Sequence, residues 1–304
     1  MVTMSVGDHQ VSRIEEMLTP GFDPKFLLPD FDAAIFADHP RLQDANFWHA
    51  ASGKVMSSMH SWLIRHRSSR GDLIILIDTG CGNHKPRALP LFQRFHMLDL
   101  PYLDNLAAHG VRPEQVDLVI CTHLHIDHVG WNTRLVDGRW VPTFPNARYI
   151  FGKREFDHWR GTGAGLSMLP ENADVIADSV MPIVEAGLAE FVEDGARILD
   201  GIEVEDAPGH TAGQMLVKLT SGRDAVVFSG DVIHQPLQVF RPDWNSRFCE
   251  DGPAARATRR KLLAYCADRG ALIMPAHFGA PHAGSVGRSG DEFHFKPAFD
   301  AAWA

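Results

Sequence analysis

The run Thr122-His123-Leu124-His125-Ile126-Asp127-His128 follows directly on the apolar stretch Asp117-Leu118-Val119-Ile120-Cys121, and it constrains the fold of this chain more than any other feature. Residues two apart in extended backbone share a side, so His123, His125 and Asp127 project together. His128 joins them only through a turn, which Gly130 and the polar loop permit. Imidazole nitrogen and carboxylate oxygen suit zinc and similar ions. Neighbouring Asp127 and His128 do not easily serve the same ion as His123 and His125, so the run points to two metals.

Three further segments end predicted strands with the same chemistry. Ala207-Pro208-Gly209-His210-Thr211-Ala212-Gly213 sets a histidine on a tight loop, Phe228-Ser229-Gly230-Asp231 a carboxylate after Ala225–Ser229, and Pro275-Ala276-His277-Phe278 a histidine after Ala271–Met274. Chain reversals after buried strands are where scaffolds present ligands.

The pattern between these points alternates strand and helix. Strands are predicted over 61–67 and 72–78, joined by the turn Ser68-Ser69-Arg70-Gly71, and over 117–121, 147–151, 197–206, 214–220, 224–229 and 271–274. Helices are predicted over 88–109, 154–159, 173–191 (interrupted near Pro182) and 253–268, with a flexible loop at Gly161-Thr162-Gly163-Ala164-Gly165. Residues 1–55 lack a clean period and read as loops and short helices. Their Phe22, Phe26, Phe31, Phe36, Phe47 and Trp48 suggest a lid or a dimer arm. Strands mixed with flanking helices imply a sheet-centred α/β architecture. No Pro-, Gly- or Ser-rich linker divides the chain, so residues 1–304 are expected to form a single domain.

Composition removes several function classes. With 45% apolar and 22% charged residues the chain resembles soluble globular proteins. Its longest aliphatic run, Leu73 to Ile77, falls far short of the ~20 residues of a membrane helix. A net charge of −9 disfavours nucleic acid, which needs Lys and Arg against its phosphates. Residues 1–10 do not resemble a secretory signal. The four cysteines form no close pair, so a reducing, cytoplasmic setting is expected.

The ordered set H-x-H-x-D-H, G-H-T, S-G-D and a late A-H resembles the metallo-β-lactamase superfamily, from the strand before Asp78-Thr79-Gly80 to His277. The resemblance implies an αββα sandwich, two mixed sheets flanked by helices. It also implies that His123, His125 and His210 hold one ion, that Asp127, His128 and His277 hold the other, and that Asp231 bridges both. The ions are expected to be two Zn2+, with Mn, Fe or Co as substitutes. Asp78 either orients a histidine ligand or simply ends a strand in a turn. A homodimer is implied by the same resemblance.

Two adjacent ions can share a hydroxide and polarise a carbonyl or phosphoryl oxygen. The implied function is therefore a dinuclear hydrolase that opens a small, partly apolar lactone or ester with a bridging hydroxide, Asp127 serving as proton shuttle as well as ligand. Within the superfamily the full ligand set resembles quorum-quenching lactonases, pyridoxolactonases and methyl parathion hydrolases. The acyl-homoserine lactonases carry a tyrosine three residues after the bridging aspartate, where this chain has His234, a departure more like the phosphotriester-cleaving branch. His234 either hydrogen-bonds a leaving group or satisfies a ligand. A phosphotriester hydrolase is the alternative in the same class. A mononuclear iron thiol or persulfide dioxygenase is the alternative from another class, although it needs fewer ligands than this chain retains. Trp131, Trp140, Phe144 and Trp159 either wall a pocket or fill the core.

Overall fold

Leu73–Ile77 is a strand inside a mixed sheet, antiparallel to Lys54–His66 with Trp62 opposite Ile77, and parallel to Leu118–Ile120 with Ile75 opposite Leu118. The structure is a computed structural model that describes residues 3–68, 71–161 and 163–298. Ser69 and Arg70 of the predicted turn and Thr162 of the predicted loop lie outside the described residues. The chain forms two compact units, one of residues 8–17 and 59–196, the other containing residues 3–7, 18–58 and 197–298.

In the first unit the sheet order runs His9–Pro20, Lys54–His66, Leu73–Ile77, Leu118–Ile120, Arg148–Gly152, Ala189–Val192. The last three strands are parallel to their neighbours, and such central strands, covered on both faces, need near-continuous apolar sequence. Leu63, Leu76, Val119, Tyr149 and Phe151 make the core with Leu106 and Phe156 from the helices Tyr102–Ala108 and Lys153–Trp159.

Several predicted boundaries move. The region read as loops and short helices holds the strands Thr3–Val6 and His9–Pro20; in the second the alternation of buried positions breaks at the adjacent Val11 and Ser12, and the buried series then continues through Ile14 to the carboxylate of Glu16. The predicted helix 88–109 is a 3-10 turn, Pro90–Phe95, and a helix only over Tyr102–Ala108, because Pro101 interrupts the backbone ladder. A hairpin absent from the sequence reading, Thr133–Val136 with Arg139–Pro142, turns at Asp137-Gly138, where φ is +49° and +77°. The predicted helix 173–191 is Asn172–Val175, a π turn at Ile176–Val180 and Met181–Glu185, and its tail is the strand Ala189–Val192.

In the second unit seven strands follow the order Arg197–Leu199, Ile202–Asp206, Met215–Ser221, Asp224–Gly230, Leu272–Pro275, Gly284–Ser289, Glu292–Pro297. Asp224–Gly230 and Leu272–Pro275 are parallel, with the helix Gly252–Arg269 in the crossover between them. Asp251 caps that helix by accepting from Ala254 N at 3.0 Å, and Gly270 ends it at φ +69°. Its Leu262, Leu263 and Cys266 pack on Val227 and Ile273. Leu27, Leu28, Ile35, Leu42, Val55 and Leu237 form a further core, against which Phe22, Phe31, Phe36 and Trp48 pack. Both sheets are mixed and flanked by helices, as the resemblance implies. No helix among the described residues is long and apolar enough to cross a membrane.

Candidate metal centre

The first unit gathers its donors where two parallel strands end. Asp78 ends Leu73–Ile77 with φ +56°, a left-handed conformation that aspartate tolerates better than most residues. Its buried carboxylate accepts from Thr122 N at 2.7 Å, from Thr122 Oγ1 at 2.8 Å and from His128 Nδ1 at 2.9 Å. A carboxylate only accepts in its ionised form, so His128 carries its proton on Nδ1 and turns the Nε2 lone pair outward. The single proton of Thr122 Oγ1 goes to Asp78, so the hydroxyl accepts from His123 Nδ1 at 3.1 Å, and His123 also presents Nε2. The two orienting contacts of Asp78, direct and through Thr122, thus fix two tautomers.

The four donors of the run are neighbours. Ring centroids of His123 lie 4.8 Å from His125 and 4.0 Å from His128. His128 Nε2 is 3.6 Å from Asp127 Oδ1. His123 and His128 are buried, whereas His125 and Asp127 are half-buried. Asp78 therefore does both things the sequence allowed, ending its strand and holding a histidine.

The second unit gathers a carboxylate and three imidazoles. Asp231 follows Asp224–Gly230, and its oxygens lie 3.0 Å from His277 Nε2, 3.2 Å from His234 Nε2 and 3.4 Å from His210 Nε2. One donor atom from each of His210, Asp231 and His234 lies within 4.8 Å of the others. His277 Nδ1 lies 3.0 Å from the Ser58 carbonyl, which can only accept, so Nδ1 bears the proton. In neutral His277 the Nε2 lone pair then faces the Asp231 carboxylate, one acceptor against another, and a cation between them, a proton or a divalent ion, relieves the pair. A divalent ion of zinc type fits a carboxylate ringed by imidazoles. Burial pushes the His234 imidazolium below its usual range, against the pull of Asp231.

The loop bearing His210 depends on one glycine. Gly209 has φ +135°, and a Cβ there would lie 2.2 Å from Ala255 N in the first turn of Gly252–Arg269. The loop is also tied to the helix start by Asp251 N donating to Gly209 O at 3.0 Å and Glu250 N to His210 O at 3.1 Å.

Glu16 was not singled out from the sequence. Its buried carboxylate accepts from Cys81 N at 2.7 Å, Gly82 N at 2.9 Å and Trp131 Nε1 at 2.7 Å, tying the loop after Asp78 to the turn after His128. Burial pushes its carboxyl pKa up in spite of these bonds. Trp131, Phe144 and Trp159 are core residues, and the half-buried Trp140 lies under Lys85 Nζ, 3.7 Å from the ring centre. A cavity of about 760 Å³ in the second unit, lined by Phe47, Phe240 and Phe295 with Arg41 and Lys296, contains none of the donors.

The family model described as "Metallo-beta-lactamase superfamily" matches residues 58–277. The probable metallo-hydrolase YflN of Bacillus subtilis (strain 168) is 29% identical over 128 residues, 39% of this chain and 45% of that protein, so the match spans less than half of the relative. Among solved structures, the hydrolase AbOPH superposes with TM-score 0.78 at 24% identity, covering 97% of this chain and 96% of that one. The dizinc quorum-quenching lactonase AidC superposes with TM-score 0.73 at 21% identity and the same coverage. A probable metal-dependent hydrolase from Staphylococcus aureus gives TM-score 0.77 at 16% identity, covering 97% of this chain and 99% of that one.

Proposed function

The chain belongs to the metallo-beta-lactamase superfamily, and from that premise we propose that it is a dinuclear zinc hydrolase of small, partly apolar lactones or esters. The observation that carries this reading is the Asp231 carboxylate, with the Nε2 atoms of His277, His234 and His210 at 3.0, 3.2 and 3.4 Å. On this reading His123, His125 and His210 would hold one ion and Asp127, His128 and His277 the other, with Asp231 shared between the two. A bound ion pair supplies a water of lowered pKa and a Lewis acid for the carbonyl oxygen.

The chain's own groups do the rest. Asp78 and Thr122 keep the imidazoles of His128 and His123 in the tautomer that offers Nε2. The Asp127 carboxylate, half-buried and so reachable by water, moves the proton between the attacking water and the leaving oxygen. His234, a buried neutral imidazole, hydrogen-bonds the leaving group. The lactonase AidC, which shares the fold, supports the lactone class. The histidine in place of the lactonases' tyrosine favours a second reading, a phosphotriester hydrolase.

The test is metal analysis with rates on matched substrates. Two transition-metal ions per chain are expected, with turnover of lactones or aryl esters above that of dialkyl aryl phosphates, and loss of both metal and turnover in Asp231→Ala. A chain that binds no transition metal, or an Asp231→Ala variant that cleaves esters at the parent rate, sinks the reading. Faster cleavage of the phosphotriesters selects the second.

A further inference from the structure

We propose that Glu155 and Asn172 are positioning residues that set the spacing and aim of the His123/His125 pair by holding the peptide groups on both sides of Leu124. The proposal rests on the metal-centre reading above and adds what in this chain makes the pair rigid.

The segment 121–129 belongs to no helix or strand, so no backbone ladder fixes it. Leu124 N donates to Glu155 Oε1 at 3.0 Å, and Asn172 Nδ2 donates to Leu124 O at 3.0 Å. The first bond grips the peptide group shared with His123, and the second grips the one shared with His125. Peptide groups are planar, so fixing both leaves the two histidine Cα atoms little freedom relative to each other. Leu124 itself is fully buried in the core.

The grip is itself braced. Glu155 and Trp159 are one turn apart on Lys153–Trp159, and Trp159 Nε1 donates to the same Oε1 at 2.7 Å. The Trp159 ring meets the His125 ring edge-on, with centroids 5.3 Å apart at 63°. Glu155, Trp159 and Asn172 are all buried, so these bonds form away from competing water. A single carboxylate oxygen therefore serves both the backbone between the histidines and the ring that packs on one of them.

Cobalt(II) titration of the full chain, read by visible absorption and by competition with a chelator, tests the assignment. Glu155→Leu removes the acceptor, Asn172→Ala removes the donor, and Glu155→Gln keeps an acceptor oxygen. His123→Ala identifies which of two bound ions belongs to the pair. The expected result is a ten- to hundredfold weaker affinity for that ion in Glu155→Leu and Asn172→Ala, as for other groups that orient ligands, with the second ion unchanged. Glu155→Gln is expected within about threefold of the parent. Folding is followed in parallel by circular dichroism, and if Glu155→Leu does not fold, Asn172→Ala decides. Parent-like affinity in folded variants, with only a lowered melting midpoint, overturns the proposal, as does equal weakening of both ions. A parent chain that binds no cobalt overturns the metal-centre reading itself, and this inference with it.

Discussion

Oδ2 of Asp78 lies 2.9 Å from Nδ1 of His128, and the same oxygen accepts the Thr122 hydroxyl whose own oxygen receives His123. One side chain thus sets the tautomer of two donors fifty and forty-five positions further along the chain. Asp78→Ala is expected to weaken zinc binding about ten- to hundredfold, because both imidazoles lose their orienting partner. Competition titration against a zinc-selective dye measures it. Parent-like affinity in a folded variant would remove Asp78 from the site.

Gly209→Ala carries two penalties, a left-handed φ of +135° and a Cβ placed 2.2 Å from Ala255 N. The neighbour is helix backbone rather than a movable side chain, so the His210 loop must lift away. The expected loss is about 2–4 kcal/mol of stability, with release of one metal ion. Urea unfolding and metal stoichiometry check both parts. A variant as stable as the parent would mean that the loop relaxes freely.

Lys85 Nζ is wholly buried, bonded to Thr133 Oγ1 at 2.9 Å and to Asp178 at 3.3 Å, while Arg87 grips the same Asp178 carboxylate at 2.6 and 3.0 Å. Burial, only partly offset by Asp178, pushes the lysine down from 10.5 to about 8. Between these values the unfolded chain holds a proton that the folded chain has released. Stability therefore rises as pH climbs from about 8 towards 10.5, with a slope of at most about 1.4 kcal/mol per pH unit from this residue. Lys85→Met is expected to flatten that part of the stability profile, measured by urea unfolding at a series of pH values. An unchanged slope would refute the assignment.

Asp178→Asn leaves Arg87 and Lys85 as buried cations without their anion. The expected cost is about 3–5 kcal/mol, enough to show as a large shift of the urea midpoint. A shift under about 1 kcal/mol would place the cluster in contact with water.

Glu16→Ala strands three buried donors, the Cys81 and Gly82 amides and the Trp131 indole. At roughly 1–3 kcal/mol for each unsatisfied group, the variant is expected to lose most of the chain's net stability. Differential scanning calorimetry gives the answer, and a midpoint within a few degrees of the parent would contradict the role.

The candidate donor residues are legible because they sit at strand ends, where local sequence shows both the apolar strand and the polar turn. His123, His125, Asp127 and His128 lie within six positions, and Asp231 and His277 follow strands whose aliphatic runs are plain. The Asp137-Gly138 hairpin was equally local, and its turn pair was there to be read. Pro101 likewise marked the break in the segment read as one helix. What surrounds the donors was not legible. Glu16 reaches Cys81 across 65 positions, and Asn172 reaches Leu124 across 48, so an ordinary-looking acid and amide acquire their tasks only when distant segments pack. Polar residues inside a strand or at a helix start carry no local mark of the carbonyl or amide they will meet.

The π turn at Ile176–Val180 places Asp178, whose main-chain oxygen accepts from both Thr133 Oγ1 at 2.5 Å and Lys85 Nζ at 3.3 Å. A π turn holds one residue more than the α-helix it interrupts, and each residue of an α-helix turns the chain by about 100°. Excising one residue from 176–180 would let the helix close regularly, yet it would rotate everything before the cut relative to Met181–Glu185 by that angle. The surplus residue thus behaves as an insertion: the regular helix is the simpler backbone, and the contacts of Asp178 with Lys85 and Arg87 are what it would forfeit.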